Sequence, residues 1–261
     1  MTAPERETAG TSRDVPGGVR SVATALDLLD CFAQEEELGV SDIARRLGVS
    51  KSTAHRILTT LTSHGLTEQD EETGRYRLGL HLFELGHLAS SRMRLRAVSV
   101  PLLEELRERT GWTVHLSVPV GPDVVFVERL PTLRGLRAMP TRRRRWAVHA
   151  TSSGKAIAAY NHDVAVARVE AGLPRFMPAT ITDPAAFERE LEAVRRRGYA
   201  TAYEESMPSL GSVAAPVLDS GGIARAAISL AGSVEEFRAA EERHARVVMA
   251  AARKLSTLLG R

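Results

Sequence analysis

Ser152 and Lys155 have the S-x-x-K spacing of a serine nucleophile and its lysine, within the stretch ATSSGKAIAAY at 150–160. Acyl-transferring enzymes that use this motif also carry S-D-N and K-T-G elements. The chain has neither, and its nearest fragment is SDI at 41–43. A serine-dependent hydrolase or transferase therefore stays an alternative, and the sequence predicts no catalytic residue.

The same stretch has two other interpretations. A phosphate-binding loop needs a glycine five residues before Gly154 and a Ser or Thr after the lysine, where the chain has His149 and Ala156. The remaining interpretation is a capped helix start with free N–H groups, which suits an anion. His115 and His149 could also be considered as metal ligands, but cysteines or paired carboxylates at suitable spacing are missing. We predict no metal and no cofactor.

Composition is that of an ordinary globular chain long enough for two domains. The 261 residues are 43% hydrophobic and 26% charged, and no uncharged apolar run approaches the roughly 18 residues of a membrane span. Residues 1–18 are polar, with no apolar signal region, and are predicted to be a disordered tail. Cys31 is the only cysteine, which excludes internal disulfides. We expect a cytoplasmic protein without membrane contact.

Charge is informative only by location. Residues 1–90 hold nine Lys and Arg against fourteen Asp and Glu, a net charge of −5, whereas the remainder is +8. No acid occurs between Asp42 and Glu68, where the basic and histidine residues are Arg45, Arg46, Lys51, His55, Arg56 and His64. This pattern predicts a local basic surface and not a uniformly basic domain.

Three helices and a hairpin are predicted in the first ninety residues. A helix at 20–33 precedes a short one with Ser41 as N-cap, which ends at Gly48, and Ser50 caps a third helix that ends at Gly65. Only Gly48 and Val49 separate the last two helices, which is typical of a helix-turn-helix. The alternation around EETG at 71–74 predicts the hairpin that forms a wing. DNA binding follows from this combination.

Strands and helices alternate in the rest of the chain. A helix at 80–97 is expected to end before a new one at 99–110, with Pro101 in its first turn. A hairpin turning at Gly121–Asp123 follows, and the later helix beginning at Ser233 carries a capping box with Glu236. The remaining expected elements are strands at 135–140, 199–203, 211–219 and 223–232 and helices at 153–160, 162–171 and 184–197. Antiparallel hairpins interleaved with helices indicate an α+β domain.

Two separate segments resemble one protein family. GVSDIARRLGVSKSTAHRILTTLTSHG at 39–65, followed by GRYRLGLHLFELG at 74–86, resembles the winged-helix half of the IclR family of bacterial transcriptional regulators. RRGYATAYEESMPSLGSVAAPVLDSGGIARAAISLAG at 196–232 resembles the effector-domain signature of that family. The resemblance implies an α+β two-domain chain: an N-terminal winged helix-turn-helix, joined by a linker helix to a C-terminal GAF-like antiparallel-sheet sensor domain.

Domain bounds, partners and function follow from this resemblance as expectations. The winged helix-turn-helix should span 19–79, the linker helix 80–97 and the effector-binding domain 98–261. The expected partners are double-stranded DNA with a palindromic operator, a small carboxylate effector, and further copies of the chain in a dimer or tetramer. The expected function is that of a repressor. An alternative is a DNA-binding protein whose second domain binds no ligand and only oligomerises.

The predicted DNA contacts come mainly from the N-terminal part of the third helix, which enters the major groove in helix-turn-helix proteins. Lys51 and Arg56 can donate to guanine O6 and N7. For Ser52 and Thr53, helix capping is the alternative to DNA contact. The full predicted set is Arg45, Lys51, Ser52, Thr53, His55, Arg56 and, in the hairpin, Arg75.

The resemblance also implies an effector pocket. The residues that match it are Gly135, Ala138, Trp146, Ser152, Ser153, Leu210, Ser212 and Ser229. Some family members that bind small acids have a cysteine where Ser212 stands, an acid where Ala202 stands and a serine where Ala231 stands. We therefore expect the effector to be a larger, partly apolar carboxylate with an aromatic ring near Trp146. The arginines at 142–145 stay open between DNA contact, a tetramer contact, attraction of anions and a solvated loop.

Overall fold

The computed structural model describes residues 18–33, 35–91, 94–138 and 143–259. The chain divides into two compact units near residues 92 and 93, and each is described here by itself. Of the predicted N-terminal tail, residues 1–17 lie outside the described part. No helix within the described ranges is both long enough and apolar enough to cross a membrane.

The first unit contains a cluster of three helices, a small antiparallel hairpin and a fourth helix after the hairpin. Its elements are α1 (Arg20–Asp30, continued by a 3₁₀ turn at Cys31–Ala33), α2 (Val40–Leu47), α3 (Lys51–Ser63), β1 (Thr67–Gln69), β2 (Tyr76–Leu78) and α4 (Leu80–Ser91). Its core consists of fully or almost fully buried apolar residues, among them Leu28, Leu38, Ile43, Leu58 and Tyr76. The hairpin is attached to this core because Tyr76 also pairs with Leu38 as an isolated bridge.

Local signals set the turn between α2 and α3. Gly48 ends α2 with a φ of +65°, a left-handed conformation that glycine adopts without steric cost. Ser50 caps α3, since its Oγ accepts from the backbone N–H of Thr53 at 3.1 Å. The prediction that Ser41 caps α2 is wrong. Gly39 is the N-cap, and its carbonyl already accepts from Ile43, which places Ser41 inside the first turn.

The second unit contains six strands and seven helices among the described residues. In chain order they are α5 (Arg94–Thr110), β3 (Thr113–Val120), β4 (Asp123–Leu130), α6 (Leu133–Ala138), β5 (Arg145–Ala147), a 3₁₀ turn (Val148–Ala150), α7 (Ser152–Ala158), α8 (His162–Glu170), α9 (Pro184–Arg197), β6 (Ala200–Tyr203), β7 (Leu210–Leu218), β8 (Ala224–Ser233), α10 (Val234–Ala239) and α11 (Glu241–Leu259).

The six strands form one antiparallel sheet in the order β5-β4-β3-β8-β7-β6. Alternate residues of the central strands enter two separate cores, as the period of two in a strand requires. Ala227 and Ala214 belong to the core that includes α7, α8 and α9, whereas Ile228 and Val213 belong to the core that includes α5 and α11. The unit is thus an α+β sheet domain with helices on both faces, which confirms the predicted fold class.

The predicted helix break at Ser99–Pro101 is wrong, because α5 continues through Pro101. A proline inside a helix removes one backbone hydrogen bond and costs about 3 kcal/mol. Leu102, Leu103 and Leu106 follow in the same helix and are buried in the sheet core. Burial of side chains of this size contributes roughly 1.5–3 kcal/mol each, which offsets that cost.

Two smaller predictions are also wrong. The segment expected as a strand at 135–140 begins as the last part of α6, where the Thr132 hydroxyl accepts from the N–H of Gly135 at 3.1 Å in the manner of a helix cap. The expected capping box at Ser233 does not form. The Ser233 hydroxyl bonds the Glu235 carboxylate instead, and α10 ends at Ala239 before a separate α11 begins.

Candidate nucleic-acid interface and effector cavity

The helix α3 has one buried and one exposed face. Ala54, Leu58 and Leu61 are buried in the core of the first unit. The five predicted DNA-contacting residues of this helix are all exposed: Lys51, Ser52, Thr53, His55 and Arg56. Because a period of 3.6 residues separates the two faces, the core that holds α3 in place leaves its basic N-terminal part free to reach a ligand.

The hydroxyls at the start of α3 also take part in capping. The Oγ of Ser50 lies 2.9 Å from the Ser52 Oγ and 2.8 Å from the Thr53 Oγ1. Both alternatives for these residues therefore have geometric support, since each side chain is exposed and already hydrogen-bonded. A hydroxyl can donate one bond and accept two, so contact with DNA does not require the cap to open.

The arginines of the first unit differ in what they already bind. Arg45 pairs with Asp42 at 2.9 Å, Arg46 pairs with Glu35, and the Arg75 guanidinium donates to the Glu37 carbonyl at 2.8 Å. Lys51 and Arg56 make no ion pair with any residue in the described ranges. Among the lysine and arginines predicted to contact DNA, these two are thus the ones not already bonded to another described residue.

The tip of the hairpin is built around Asp70. Its carboxylate accepts from the backbone N–H of Thr73 at 2.7 Å and of Glu72 at 3.1 Å, and these bonds hold the pKa of Asp70 below its ordinary value. The ionised Asp70, with exposed Glu71 and Glu72 beside it, makes the tip acidic. An acidic tip repels phosphate, which disfavours deep entry of this wing into a groove.

A small buried cavity of about 20 Å³ lies between the sheet and α7 in the second unit. Its lining brings together six of the eight residues predicted for effector binding: Trp146, Ser152, Ser153, Leu210, Ser212 and Ser229. Gly135 is buried against Thr113 and is not one of the lining residues. Ala138 ends α6, and its side chain lies outside the described part.

Hydroxyls dominate the side of the cavity formed by α7. The Ser152 Oγ donates to the Ser212 Oγ at 2.8 Å, which links α7 to β7. Thr151 caps α7 by accepting from the N–H of Gly154 at 3.1 Å. A Cβ on Gly154 would collide with the carbonyl of Val148. The glycine of the SGK fragment is therefore needed for close packing, whatever its resemblance to a phosphate loop.

Aromatic rings form the other side. The His115 ring stacks on Phe126 with centroids 4.3 Å apart, and Phe126 lies 6.5 Å from Trp146. Burial, reinforced by the charges of Arg129 and Arg144, lowers the pKa of His115 to about 3. The imidazole is consequently neutral at physiological pH. Neither His115 nor Phe126 was assigned to this site from the sequence, because only the pairing of β3 with β4 and β8 places them there.

Lys155 has a structural partner. Its Nζ is buried and donates to both Glu205 oxygens at 2.7 and 2.9 Å, with Glu190 3.7 Å away. Glu205 belongs to the turn at 204–209 between β6 and β7, called here the cavity loop because its Ser206 lines the cavity. This buried ion pair gives Lys155 a role in holding the cavity loop in place.

The cavity loop has a strained backbone. Glu204 and Ser209, at its two ends, both have positive φ values, +56° and +57°. This conformation costs residues other than glycine about 1–2 kcal/mol. The loop is held in place by the Lys155–Glu205 pair and by the Thr180 hydroxyl, which donates to the Glu205 carbonyl at 2.6 Å. Fixed anchors thus hold the loop next to the cavity.

The basic run at 143–145 makes local contacts. The Arg143 guanidinium lies over the Trp146 ring at 4.9 Å, Arg144 donates to the Phe126 carbonyl at 2.9 Å, and Arg145 lies 3.6 Å from the Asp123 carboxylate. Arg142 lies outside the described part. The run therefore fastens β5 and Trp146 to the edge of the sheet.

The two histidines considered for a metal site make different contacts in different parts of the second unit. His149 Nε2 is hydrogen-bonded to the Pro174 carbonyl at 3.0 Å, and its ring packs against Phe176. His115 is stacked in the cavity, as described above. Desolvation also lowers the pKa of His149. The contacts of His149 are typical of a structural histidine.

A larger surface groove of about 450 Å³ lies among α8, α9 and the start of β8. Its arginines are already paired, Arg195 with Glu188 at 2.5 Å and Arg225 with Asp219 at 2.7 Å. None of the residues predicted from sequence lines it. Size alone favours this groove, but the smaller cavity combines burial, hydroxyls and stacked rings, which are the features of a ligand site.

A helix-turn-helix with an exposed basic helix start, followed in the same chain by a sheet domain whose cavity is lined by hydroxyls and aromatic rings, is the architecture of a DNA-binding regulator with an effector domain. Residues 21–71 match the IclR helix-turn-helix domain, and residues 87–257 match the C-terminal domain of the bacterial transcriptional regulator IclR. The chain belongs to the IclR family of bacterial transcriptional regulators, and is accordingly a regulator of transcription and not an enzyme.

Individual relatives agree over most of the chain. The HTH-type transcriptional regulator BhcR of Paracoccus denitrificans is 37% identical, covering 88% of this chain and 83% of the relative. An IclR transcriptional regulator from Alicyclobacillus acidocaldarius is 28% identical with a TM-score of 0.80, covering 92% and 98%. An IclR homologue from Microbacterium hydrocarbonoxydans, complexed with 4-hydroxybenzoate, is 30% identical with a TM-score of 0.76, covering 91% and 98%.

Proposed function

We propose that this regulator represses transcription and that an aromatic carboxylate bound in the cavity modulates its operator affinity. The observation that carries the proposal is the composition of the cavity, with hydroxyls of Ser152 and Ser212 on one side and the rings of Phe126 and Trp146 on the other. A carboxylate suits the first side and an aromatic ring the second. The relative complexed with 4-hydroxybenzoate supports the same class.

The proposed DNA contacts begin at the N-terminal part of α3. Lys51 and Arg56 reach base edges in the major groove, with Ser52, Thr53 and His55 on base edges or phosphates beside them. Arg45 contacts the DNA backbone. Arg75 is the weakest of the predicted DNA contacts, because its guanidinium already donates a hydrogen bond to the Glu37 carbonyl. Few cations per chain favour two copies on a palindromic operator.

Exposed apolar residues of the first unit support self-association. Val22 and Leu26 on α1 are 55% and 59% exposed, and Phe83 on α4 is 70% exposed. Isolated exposed apolar residues are common, but α1 carries two of them one turn apart. We propose that this surface of α1 contributes to a homodimer that places two α3 helices on the operator, and that a tetramer is built from two such dimers.

Effector binding must change the shape of the cavity. A volume of about 20 Å³ is roughly that needed for one water molecule, so an aromatic acid has to displace part of the lining. The part of the cavity loop after its anchored residue Glu205 is the segment we expect to move, since it contributes Ser206 to the lining and ends at the strained Ser209. A ligand that favours one arrangement of the loop shifts the population of conformations, which is the requirement for regulation.

Repression requires less of the protein than activation does, because a dimer bound over a promoter blocks RNA polymerase simply by occupying the DNA. We propose that it acts on chromosomal DNA in the bacterial cytoplasm. A reporter fused to the operator, with and without the regulator gene, checks the sign: expression should rise when the gene is deleted.

Replacing Ser212 by leucine tests the effector proposal. A leucine on β7 removes the bond to Ser152 and overfills the cavity, and overpacking typically costs about 1–3 kcal/mol. Affinity for 4-hydroxybenzoate, measured by calorimetry, should fall about ten- to a hundredfold. Operator binding in a gel shift should be retained, while its response to the acid is lost.

Ser220→Leu is the matched control, since Ser220 is exposed in the turn between β7 and β8, away from the cavity lining. This variant should bind the acid like the unmodified chain. If Ser212→Leu binds the acid and responds to it as the unmodified chain does, the assignment of the cavity as the effector site is wrong. A chain whose operator affinity no carboxylate changes would favour the alternative of a second domain that only oligomerises.

A further inference from the structure

His115, a residue of the cavity lining, has a buried side-chain nitrogen without a hydrogen-bond partner among the described residues. His115 is 1% exposed, lines the cavity, and its Nε2 has no hydrogen bond to any residue in the described ranges. The great majority of buried polar atoms in proteins are bonded, because an unbonded one has lost water without replacement. Because His115 lines the cavity, a ligand that enlarges the cavity is a partner that can complete this bond.

The charge state of His115 limits what it can bind. Burial lowers its pKa to about 3, and the charges of Arg129 and Arg144 act in the same direction. The Nε2 of a neutral imidazole can form one hydrogen bond with a hydroxyl, and the tautomer decides whether it donates or accepts. Compensating a carboxylate would require protonation, which this environment opposes. A neutral polar group of the ligand is the better partner.

The sheet register separates His115 from the paired serines. His115 is the direct cross-strand partner of Ser229 on β8, whereas Ser212 lies on the following strand, β7, opposite Ala231. Two strand spacings, roughly 10 Å, therefore separate the backbones of His115 and Ser212. Phe126 stacks on the His115 ring, which places an aromatic surface beside the imidazole. Four of the polar lining residues thus form two pairs, His115 with Ser229 and Ser152 with Ser212.

We propose that His115 hydrogen-bonds a ring hydroxyl of an aromatic carboxylate whose acid group is bound near Ser152 and Ser212. This inference rests on the proposed effector site and narrows the effector class from aromatic acids to hydroxylated aromatic acids. An acid without the hydroxyl leaves Nε2 unbonded and binds more weakly. His115 is then the residue that determines specificity among acids of similar size.

Paired measurements with 4-hydroxybenzoate and benzoate test the proposal. Calorimetry on the full chain should give about tenfold tighter binding of 4-hydroxybenzoate, the effect of one hydrogen bond at a buried site. In His115→Phe, which keeps a ring to stack on Phe126, this preference should disappear while benzoate affinity changes less than threefold. In His115→Gln, whose amide can replace Nε2 as a hydrogen-bonding group, the preference should be partly retained.

Ser117→Ala is the control variant. Ser117 is on the same strand, equally buried and also unbonded at its Oγ among the described residues, but it does not line the cavity. It should keep the tenfold preference. Should His115→Phe fail to fold, the comparison of His115→Gln with Ser117→Ala still decides, because only the former is expected to reduce the preference.

The outcomes separate this inference from the proposed function. A preference for the hydroxyl that persists unchanged in both His115 variants overturns the role of His115 and leaves the cavity as the effector site. If His115→Phe loses affinity equally for both acids, His115 binds the carboxylate. That result also overturns the proposed bond to the ring hydroxyl. If neither acid binds the unmodified chain, the hydroxylated aromatic class is wrong, whereas the operator response to other carboxylates still tests the proposed function.

Discussion

Replacement of Arg56 by alanine should remove specific operator binding. The side chain is exposed on α3, and no residue in the described ranges forms an ion pair with it, so its charge is available to DNA. One good contact of arginine with guanine is worth about 1–3 kcal/mol, and a dimer loses two. We expect operator affinity to fall roughly a hundredfold or more in a gel shift at fixed salt, while effector binding is unchanged.

Arg196→Ala supplies the matched control, because Arg196 is an exposed arginine on a helix of the second unit, with its side chain 71% exposed. This variant should bind the operator normally. The salt dependence distinguishes base from phosphate contact: a phosphate contact weakens binding to all sequences and lowers the salt slope by about one per contact. Undiminished operator affinity of Arg56→Ala would remove α3 as the recognition helix.

Replacement of Lys155 by methionine should strongly destabilise the second unit. It leaves the Glu205 carboxylate, bonded to Lys155 at 2.7 and 2.9 Å, without its cation in a buried site. Breaking one side of a buried pair typically costs about 3–5 kcal/mol. Urea unfolding followed by circular dichroism should show a loss of this size at neutral pH, with the cavity loop released.

The pH dependence gives a second signature. Burial raises the pKa of Glu205, and Lys155 opposes that rise. Without Lys155 the pKa in the folded state increases further above that of the unfolded chain, so the folded state binds a proton more tightly. Lowering the pH through this raised pKa should therefore restore part of the stability of Lys155→Met. If the stability lost in Lys155→Met does not depend on pH, the unpaired Glu205 carboxylate is not the cause of the loss.

The double variant Lys155→Met, Glu205→Leu separates loss of the pair from loss of packing. Replacing a buried ion pair by apolar residues of similar volume is often neutral or stabilising. Glu190 keeps a partner in this variant, since Arg197 lies 2.8 Å from it. We expect most of the lost stability to return, whereas effector response stays impaired if the pair positions the cavity loop. Equal destabilisation of single and double variants would contradict the role of the charge.

Local signals in the sequence predicted the first unit well. Gly48 ends α2 and Ser50 caps α3 as expected, because each depends on a conformation or bond within three residues. The errors also have local causes. Ser41 had the right residue type for a cap, but the preceding Gly39 already filled that position. Pro101 indicated a helix start, yet α5 is continuous, because Leu95 and Val98 before the proline pack against the same core as Leu102 after it.

The sequence alone determined the order of elements in the first unit, the basic face of α3 and, through the resemblance, the serines of α7, β7 and β8. These features depend on residue type and short spacing. Only the tertiary structure placed His115 beside Ser229 and Lys155 against Glu205. Each of those pairs joins elements far apart in the chain, and no local spacing encodes which strands become neighbours. The orphaned nitrogen of His115 and the anchored cavity loop follow from that sheet order, because it is the burial of both groups that gives them their chemistry.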